Sequence, residues 1–158
     1  MLTIKSTLPQ DRRQAGTLEA DSDGERVIGP ASCRGKSDSQ AAAALGNPDH
    51  IPTRRLGDHP YGGYLVLAVV RSHGPAELDK FGPAFLKLDP VSGDAEVGKL
   101  NKRIGIGIHG GPLADDGSLR ATDGCLRVDN ETAQALADLV EPELAAGRKV
   151  FYDCEAPS

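Results

Sequence analysis

The chain of 158 residues lacks several features that common protein classes require. It has no tryptophan, one methionine, three phenylalanines and three tyrosines. Its longest apolar stretch, Tyr64–Val70, has the length of a strand and is far shorter than the run of about 18 residues that a membrane-spanning helix needs. We therefore expect no membrane span.

The N-terminus also lacks a charged segment followed by an apolar one, which is the pattern of a secretory signal peptide. We therefore expect either a trimmed leader or delivery by another route.

The net charge and the cysteine content bear on which partners and which kinds of site we expect. Eighteen basic and 23 acidic residues give a net charge of −5, whereas nucleic-acid-binding surfaces are usually basic, so we expect no nucleic-acid partner. The cysteines are Cys33, Cys125 and Cys154, an odd number without a CxxC pair. At least one thiol is therefore unpaired, and we expect no metal site. The sequence does not decide whether Cys33 and Cys154 form a disulfide.

The distribution of glycine, proline and apolar residues predicts a mainly β fold. The chain has 19 glycines and 11 prolines, which is typical of short strands joined by turns. Apolar and alternating segments predict strands at Leu2–Lys5, Gly16–Glu19, Glu25–Ile28 continuing toward Cys33, Tyr64–Arg71, Ala84–Asp89, Arg103–His109 and Arg148–Tyr152.

Helical patterns are fewer. Apolar residues from Ala133 to Leu144 recur at helical spacing, which predicts one packed helix that begins near Asn130, ends at Gly147 and is kinked or restarted by Pro142. Asp38–Leu45 is predicted to form two helical turns. We predict a single domain over residues 1–158, of the mainly β (α+β) class.

Two segments carry residues suited to catalysis. Ile106–Gly111 is a strand that ends in His109 and two glycines, and Thr122–Asn130 places Cys125 after a glycine and just before the helix. An imidazole can take the proton of a neighbouring thiol and so activate it as a nucleophile. A buried cysteine and an ordinary strand-end histidine would be the commoner interpretation of either residue alone, but the surrounding pattern favours a site.

The two segments together resemble the L,D-transpeptidase catalytic domain, or YkuD-like, family. The family signature is His-Gly, a loop, Ser/Thr-His-Gly-Cys, a hydrophobic residue, usually Arg, and an Asn shortly after. His109-Gly110 matches its first part and Thr122–Asn130 its second. The likeness extends over about residues 50–153 and implies a YkuD-like β-sandwich with a helix after the nucleophile.

The chain departs from the family pattern in two places. Asp123 stands where the family has its second histidine, and the loop from His109 to Thr122 contains only 12 residues. Both features also resemble the divergent transpeptidase-like effectors delivered by type VI secretion. That subgroup implies an immunity or delivery protein as a further partner.

The resemblance assigns roles to several residues. It implies that Cys125 is the nucleophile and His109 the base, and that the carbonyl of Gly110 orients the imidazole. The amides of Gly124 and Cys125 would stabilise the oxyanion.

Other roles stay open between two alternatives. Arg127 either binds a substrate carboxylate or forms a structural ion pair, and Thr122 either bonds near the site or shapes the turn. Asp123 either polarises His109 or faces solvent. His50 and His59 lie in the long loop before Tyr64. The sequence leaves open whether they line the cleft that contains His109 and Cys125.

The resemblance implies cysteine-dependent acyl transfer on peptidoglycan stem peptides in the periplasm or cell wall. The activity would be that of an L,D-transpeptidase, an L,D-carboxypeptidase or a D-amino-acid exchange enzyme, and no metal or organic cofactor is implied. The alternative is a catalytically weak cell-wall-binding or interaction module that retains the fold, and Asp123 motivates it.

Overall fold

The computed structural model describes residues 1–38 and 56–158. Its strands are β1 Leu2–Thr7, β2 Gly16–Ser22, β3 Glu25–Arg34, β4 Gly62–Arg71, β5 Ala84–Pro90, β6 Gly107–His109, β7 Leu126–Val128 and β8 Phe151–Glu155. The helices in this part of the chain are α1 Pro75–Phe81, α2 Gly93–Leu100 and α3 Asn130–Ala145. The mainly β class expected from the sequence is confirmed.

The eight strands form one closed barrel. Their order around it is β1-β2-β3-β7-β6-β5-β4-β8. The β1–β8 and β6–β7 pairs are parallel and the others are antiparallel. The sheet therefore continues from one face of the expected sandwich to the other, and each of the eight strands in the described residues is paired on both sides.

Side-chain alternation along the strands places the core inside the barrel. In β1, Leu2 and Ile4 are buried while Thr3 and Lys5 are exposed, as expected for a strand with one face in the core. The largest helix, α3, closes the core against β4 and β5 through its apolar face, which includes Ala133, Leu136, Ala137 and Val140.

The predicted helix after Cys125 is confirmed, with Asp129 as its N-cap. The Asp129 carboxylate accepts a hydrogen bond from the Thr132 amide at 2.7 Å, which satisfies one of the free N–H groups of the first turn. Pro142 lies inside the helix, which continues to Ala145.

Other predictions about local structure need correction. The predicted strand Arg103–His109 forms only over Gly107–His109, because Gly105 adopts a φ of 80° that interrupts extended backbone. Helices α1 and α2 were not predicted, since seven or eight residues are too few to establish a helical period. The helical turns predicted at 38–45 lie, apart from Asp38, outside the described residues, as does His50.

None of the helices in residues 1–38 and 56–158 combines the length and apolar character needed to cross a membrane.

Removal of the Asp129 cap is expected to destabilise the fold. Asp129→Ala deletes the carboxylate that accepts from Thr132 and should lower the free energy of unfolding by about 1 kcal/mol. Asp129→Asn keeps an acceptor oxygen and should lose much less. Urea unfolding of both variants measures the difference, and equal losses would contradict the capping role.

Candidate active site

Parallel pairing of β6 with β7 brings the two sequence motifs together. Ile108 lies opposite Leu126, and both side chains are fully buried in the core. His109 lies opposite Arg127, and strand alternation turns these two side chains away from the core. Cys125 directly precedes β7. His109, Cys125 and Arg127 line one open cavity of about 560 Å³.

The His109 ring is held by a backbone carbonyl and two aromatic rings. Its Nδ1 lies 2.7 Å from the carbonyl oxygen of Gly110, the contact that the family resemblance implies. The ring stacks on Phe85, with centroids 5.6 Å apart, and meets Phe81 edge-on at 5.2 Å. These contacts fix the orientation of the imidazole. The nitrogen that is not bonded to Gly110 is Nε2.

Gly107 makes this stacking arrangement sterically feasible. A Cβ atom at residue 107 would lie 2.3 Å from the Cζ atom of Phe85. The Phe85 ring therefore lies across Gly107 and reaches His109.

His109 is neutral near pH 7. Burial lowers the pKa of His109 to about 4, the hydrogen bond to Gly110 opposes that effect, and the positive charges of Arg127 and Lys80 add to it. Because Nδ1–H donates to a carbonyl oxygen, the lone pair is on Nε2. This nitrogen is therefore able to accept a proton.

Cys125 is partly exposed to the cavity, and its thiol is protonated at rest. Its Sγ atom lies 3.6 Å from the carbonyl oxygen of Gly105. Burial raises the pKa of the Cys125 thiol, whereas a hydrogen bond from the Gly107 backbone and the charge of Arg103 oppose the increase. The resting pair is therefore thiol and imidazole, not thiolate and imidazolium.

Thr122 shapes the turn before the cysteine. Its hydroxyl accepts a hydrogen bond from the Gly124 amide at 3.0 Å and donates one to the carbonyl oxygen of Cys125 at 2.7 Å. The Gly124 N–H, which the resemblance offered as an oxyanion donor, is thus already bonded within the turn. The Cys125 N–H is the other donor that the resemblance implied.

Gly124 is confined by its neighbours as well as by its backbone. It has a φ of 116°, and a Cβ atom there would lie 2.3 Å from a guanidinium nitrogen of Arg103. Arg103 is buried and donates to the carbonyl oxygen of Gly57 at 2.6 Å. Any residue larger than glycine would displace Arg103 from the back of the turn.

Arg127 hydrogen-bonds to the main chain beside the cavity. Its guanidinium donates to the Gly110 carbonyl at 2.7 Å and to the Ala121 carbonyl at 3.4 Å. The Gly110 oxygen therefore accepts from both His109 and Arg127. In this geometry Arg127 holds the carbonyl that orients His109, and it also lines the cavity.

Asp123 lies at the rim of the cavity and is exposed. Its carboxylate is hydrogen-bonded to that of Asp38. Burial is the main cause of the raised pKa of Asp38, and the hydrogen bond with Asp123 is the second. The exposure of Asp123 favours the solvent-facing alternative over the one in which it polarises His109.

Several residues that hold the site were not singled out from the sequence. They are Phe81, Phe85, Arg103 and Asn130, whose Oδ1 accepts the Gly111 amide at 2.8 Å. Asn130 belongs to the family motif and could have been included on that ground. The other three come from segments whose proximity is set by the barrel, so no local signal marks them.

Cys33, Cys154, His59 and His73 lie outside the cavity. Cys33 and Cys154 are free and buried, so the disulfide left open for them is not formed. His59 is fully buried behind the turn that contains Gly124. Within residues 1–38 and 56–158, no group of three or more His, Cys, Asp or Glu side chains is placed to hold a metal ion.

Comparison with known proteins identifies the family. The model of the YkuD family, the L,D-transpeptidase catalytic domain, matches residues 38–151. The chain therefore belongs to the YkuD family. No curated protein matches it significantly.

Two solved structures share the fold. One is Bd1075 from Bdellovibrio bacteriovorus, with a TM-score of 0.58 and 16% identity over 96% of this chain and 46% of that one. The other is a mutant of the helical cell shape determining protein Pgp2 from Campylobacter jejuni, with a TM-score of 0.52 and 19% identity over 99% of this chain and 47% of that one. The chain thus spans about half the length of each.

Alkylation is expected to select Cys125. Iodoacetamide should label Cys125 and leave Cys33 and Cys154 unmodified, since the latter are 0% and 3% exposed and burial raises the pKa of Cys33 to about 12. The rate should keep rising with pH beyond the ordinary thiol pKa of 9.0, because the Cys125 thiolate forms only above it. Peptide mapping by mass spectrometry identifies the labelled thiol. A rate plateau near neutral pH would contradict a protonated resting thiol.

The His109 ring is expected to titrate well below an ordinary histidine. NMR titration of its ring protons should give a pKa of about 4, because protonation places a charge in a buried site beside Arg127. Arg127→Gln should raise this pKa, since it removes a positive charge, whereas Arg148→Gln, at an exposed position after the end of α3, should not. A His109 pKa near 6.5 in the unmodified protein would disprove the electrostatic account.

Proposed function

We propose that this protein is an L,D-transpeptidase-like cysteine acyltransferase that acts on peptidoglycan stem peptides. The observation that supports it is the cavity that Cys125 shares with a neutral His109, whose Nδ1 is held by the Gly110 carbonyl. Membership of the YkuD family supplies the substrate class. The periplasm or cell wall would be the place of action, because that is where the substrate is.

The resting protonation states indicate how the nucleophile is activated. Because the thiol and the imidazole are both neutral, the thiol proton moves to Nε2 of His109 as the sulfur attacks. The sulfur forms a bond to the carbonyl carbon of the third stem residue. His109 becomes cationic only at this stage, with Nδ1–H still bonded to Gly110, so the carbonyl stabilises the charge that develops.

Collapse of the tetrahedral intermediate completes acylation. The peptide C–N bond breaks, the terminal D-residue leaves as an amine, and His109 returns the proton to that amine. The acyl group remains on Cys125 as a thioester. An incoming amine then forms a cross-link or exchange product, and water would release a shortened stem peptide, with His109 again accepting the proton of the attacking group.

Residues around the pair have supporting roles in this scheme. The Cys125 N–H donates to the oxyanion, while Thr122 keeps the turn in shape through its two hydrogen bonds. Arg127 supports Gly110 and offers a buried positive charge to a substrate carboxylate. We assign Asp123, which is exposed at the rim, an influence on the second substrate and no part in the action of the base.

Defined muropeptides provide the test. Incubated with a tetrapeptide muropeptide, the protein should give cross-linked, exchanged or tripeptide products that mass spectrometry resolves. Cys125→Ala should abolish all of them, and His109→Ala should slow them by about 10²-fold or more, as expected for loss of a general base. His73→Ala is the matched control, because His73 is exposed and outside the cavity.

The alternative function makes a different prediction in the same experiment. The exposed Asp123, in place of the family's second histidine, favours a binding module that has lost turnover. Unchanged muropeptides together with measurable binding to the protein would support that module and overturn the enzymatic proposal.

A further inference from the structure

A buried hydrogen-bonded chain lies directly behind the nucleophile turn. It runs from Ser6 in β1 through Tyr152 in β8 to His59 and ends on the carbonyl oxygen of Gly124. The Ser6 Oγ–Tyr152 Oη distance is 2.6 Å, the Tyr152 Oη–His59 Nε2 distance is 3.0 Å and the His59 Nδ1–Gly124 O distance is 3.1 Å. All three side chains are fully buried.

The hydrogen bonds from Ser6 to Gly124 have one consistent assignment of donors and acceptors. A carbonyl oxygen only accepts, so Nδ1 of His59 carries the proton and donates to Gly124. Nε2 then accepts from the Tyr152 hydroxyl, whose oxygen accepts from Ser6. Burial lowers the pKa of His59 to about 3 and raises that of Tyr152 well above its ordinary value, which keeps both groups neutral as this assignment requires.

His59 is itself rigidly placed. Its amide donates to the Gly35 carbonyl at 2.8 Å, and its own carbonyl accepts from the buried Arg12 at 2.6 Å. Its ring stacks on Tyr64 with centroids 5.4 Å apart and an angle of 14° between the planes. The donor presented to Gly124 is thus fixed at the backbone and at the ring.

The peptide unit that His59 holds is the one that carries the Cys125 amide. This peptide bond is trans, so its C=O and N–H groups point in opposite directions. Because the Gly124 oxygen points inward to His59, the Cys125 N–H points away from His59. Thr122 fixes the two flanking groups, the Gly124 N–H and the Cys125 carbonyl.

We propose that His59 is a positioning residue that aims the Cys125 N–H at the oxyanion through its hydrogen bond to the Gly124 carbonyl. The inference rests on the proposed acyl transfer, because only a reaction that forms an oxyanion uses this donor. Loss of an oxyanion donor slows acyl-transfer enzymes by about 10²–10³-fold. A donor that is merely misaimed should cost less, about 10-fold to 10²-fold.

Two substitutions of His59 separate this role from packing. The side-chain amide of His59→Asn reaches the position of Nδ1 and can still donate to Gly124, whereas His59→Leu cannot. Both variants lose the bond to Tyr152, so they differ in the Gly124 contact. Acylation of Cys125 by a carbapenem forms an oxyanion and alkylation by iodoacetamide does not, and intact-protein mass spectrometry measures both rates.

The expected result is selective. His59→Leu should lower the acylation rate about 10-fold to 10²-fold, His59→Asn should retain most of it, and the alkylation rate should change by less than about twofold in either variant. Equal acylation of the two variants, or a matching loss of alkylation, would overturn the role of His59. An unmodified protein that is alkylated at Cys125 but acylated by neither the carbapenem nor the tetrapeptide muropeptide would overturn the proposed function and this inference with it.

A second variant covers the case in which His59→Leu does not fold. His59→Gln is polar, and its longer side chain carries the amide to the position of Nε2, so it keeps the contact with Tyr152 and loses the donor to Gly124. Acylation should fall as in His59→Leu while alkylation is preserved. Acylation at the original rate in a folded His59→Gln protein would count against the proposal.

Discussion

The parallel pairing of β6 with β7 is the contact on which the site depends. Each strand is only three residues long. Their register places His109, at the end of β6, beside β7, and Cys125 directly precedes β7. Ile108 and Leu126 anchor this pair in the core. Burial of Ile108 and Leu126 thereby sets the relative position of His109 and Cys125, which are 16 residues apart in the sequence.

Burial also sets the chemical state of the site. The same low-polarity surroundings lower the pKa of His109 and raise that of Cys125, so neither group is charged at rest. In the proposed reaction, charge would appear only when the proton moves between them. The Gly110 carbonyl, already bonded to His109 and Arg127, would then stabilise the cationic imidazole. Such an arrangement would favour the transition state of that reaction without an ion pair in the resting protein.

Close packing at three glycines makes this arrangement possible. A side chain at Gly107 would collide with Phe85, one at Gly110 with Asn130 and one at Gly124 with Arg103. Each neighbour either orients His109 or supports the backbone around the pair. The site is therefore built by side chains that approach the main chain directly.

The sequence by itself determined the mainly β class, the helix after Cys125 and the pairing of His109 with Cys125 as candidates, because these depend on local periodicity and on a motif with characteristic spacing. Barrel closure decided the rest. The stacking of Phe85 on His109, the filling of the space beside Gly124 by Arg103 and the bond from His59 to the Gly124 carbonyl join segments far apart in the chain. No local pattern encodes such contacts, since each depends on strand register and on which side of the barrel a loop crosses.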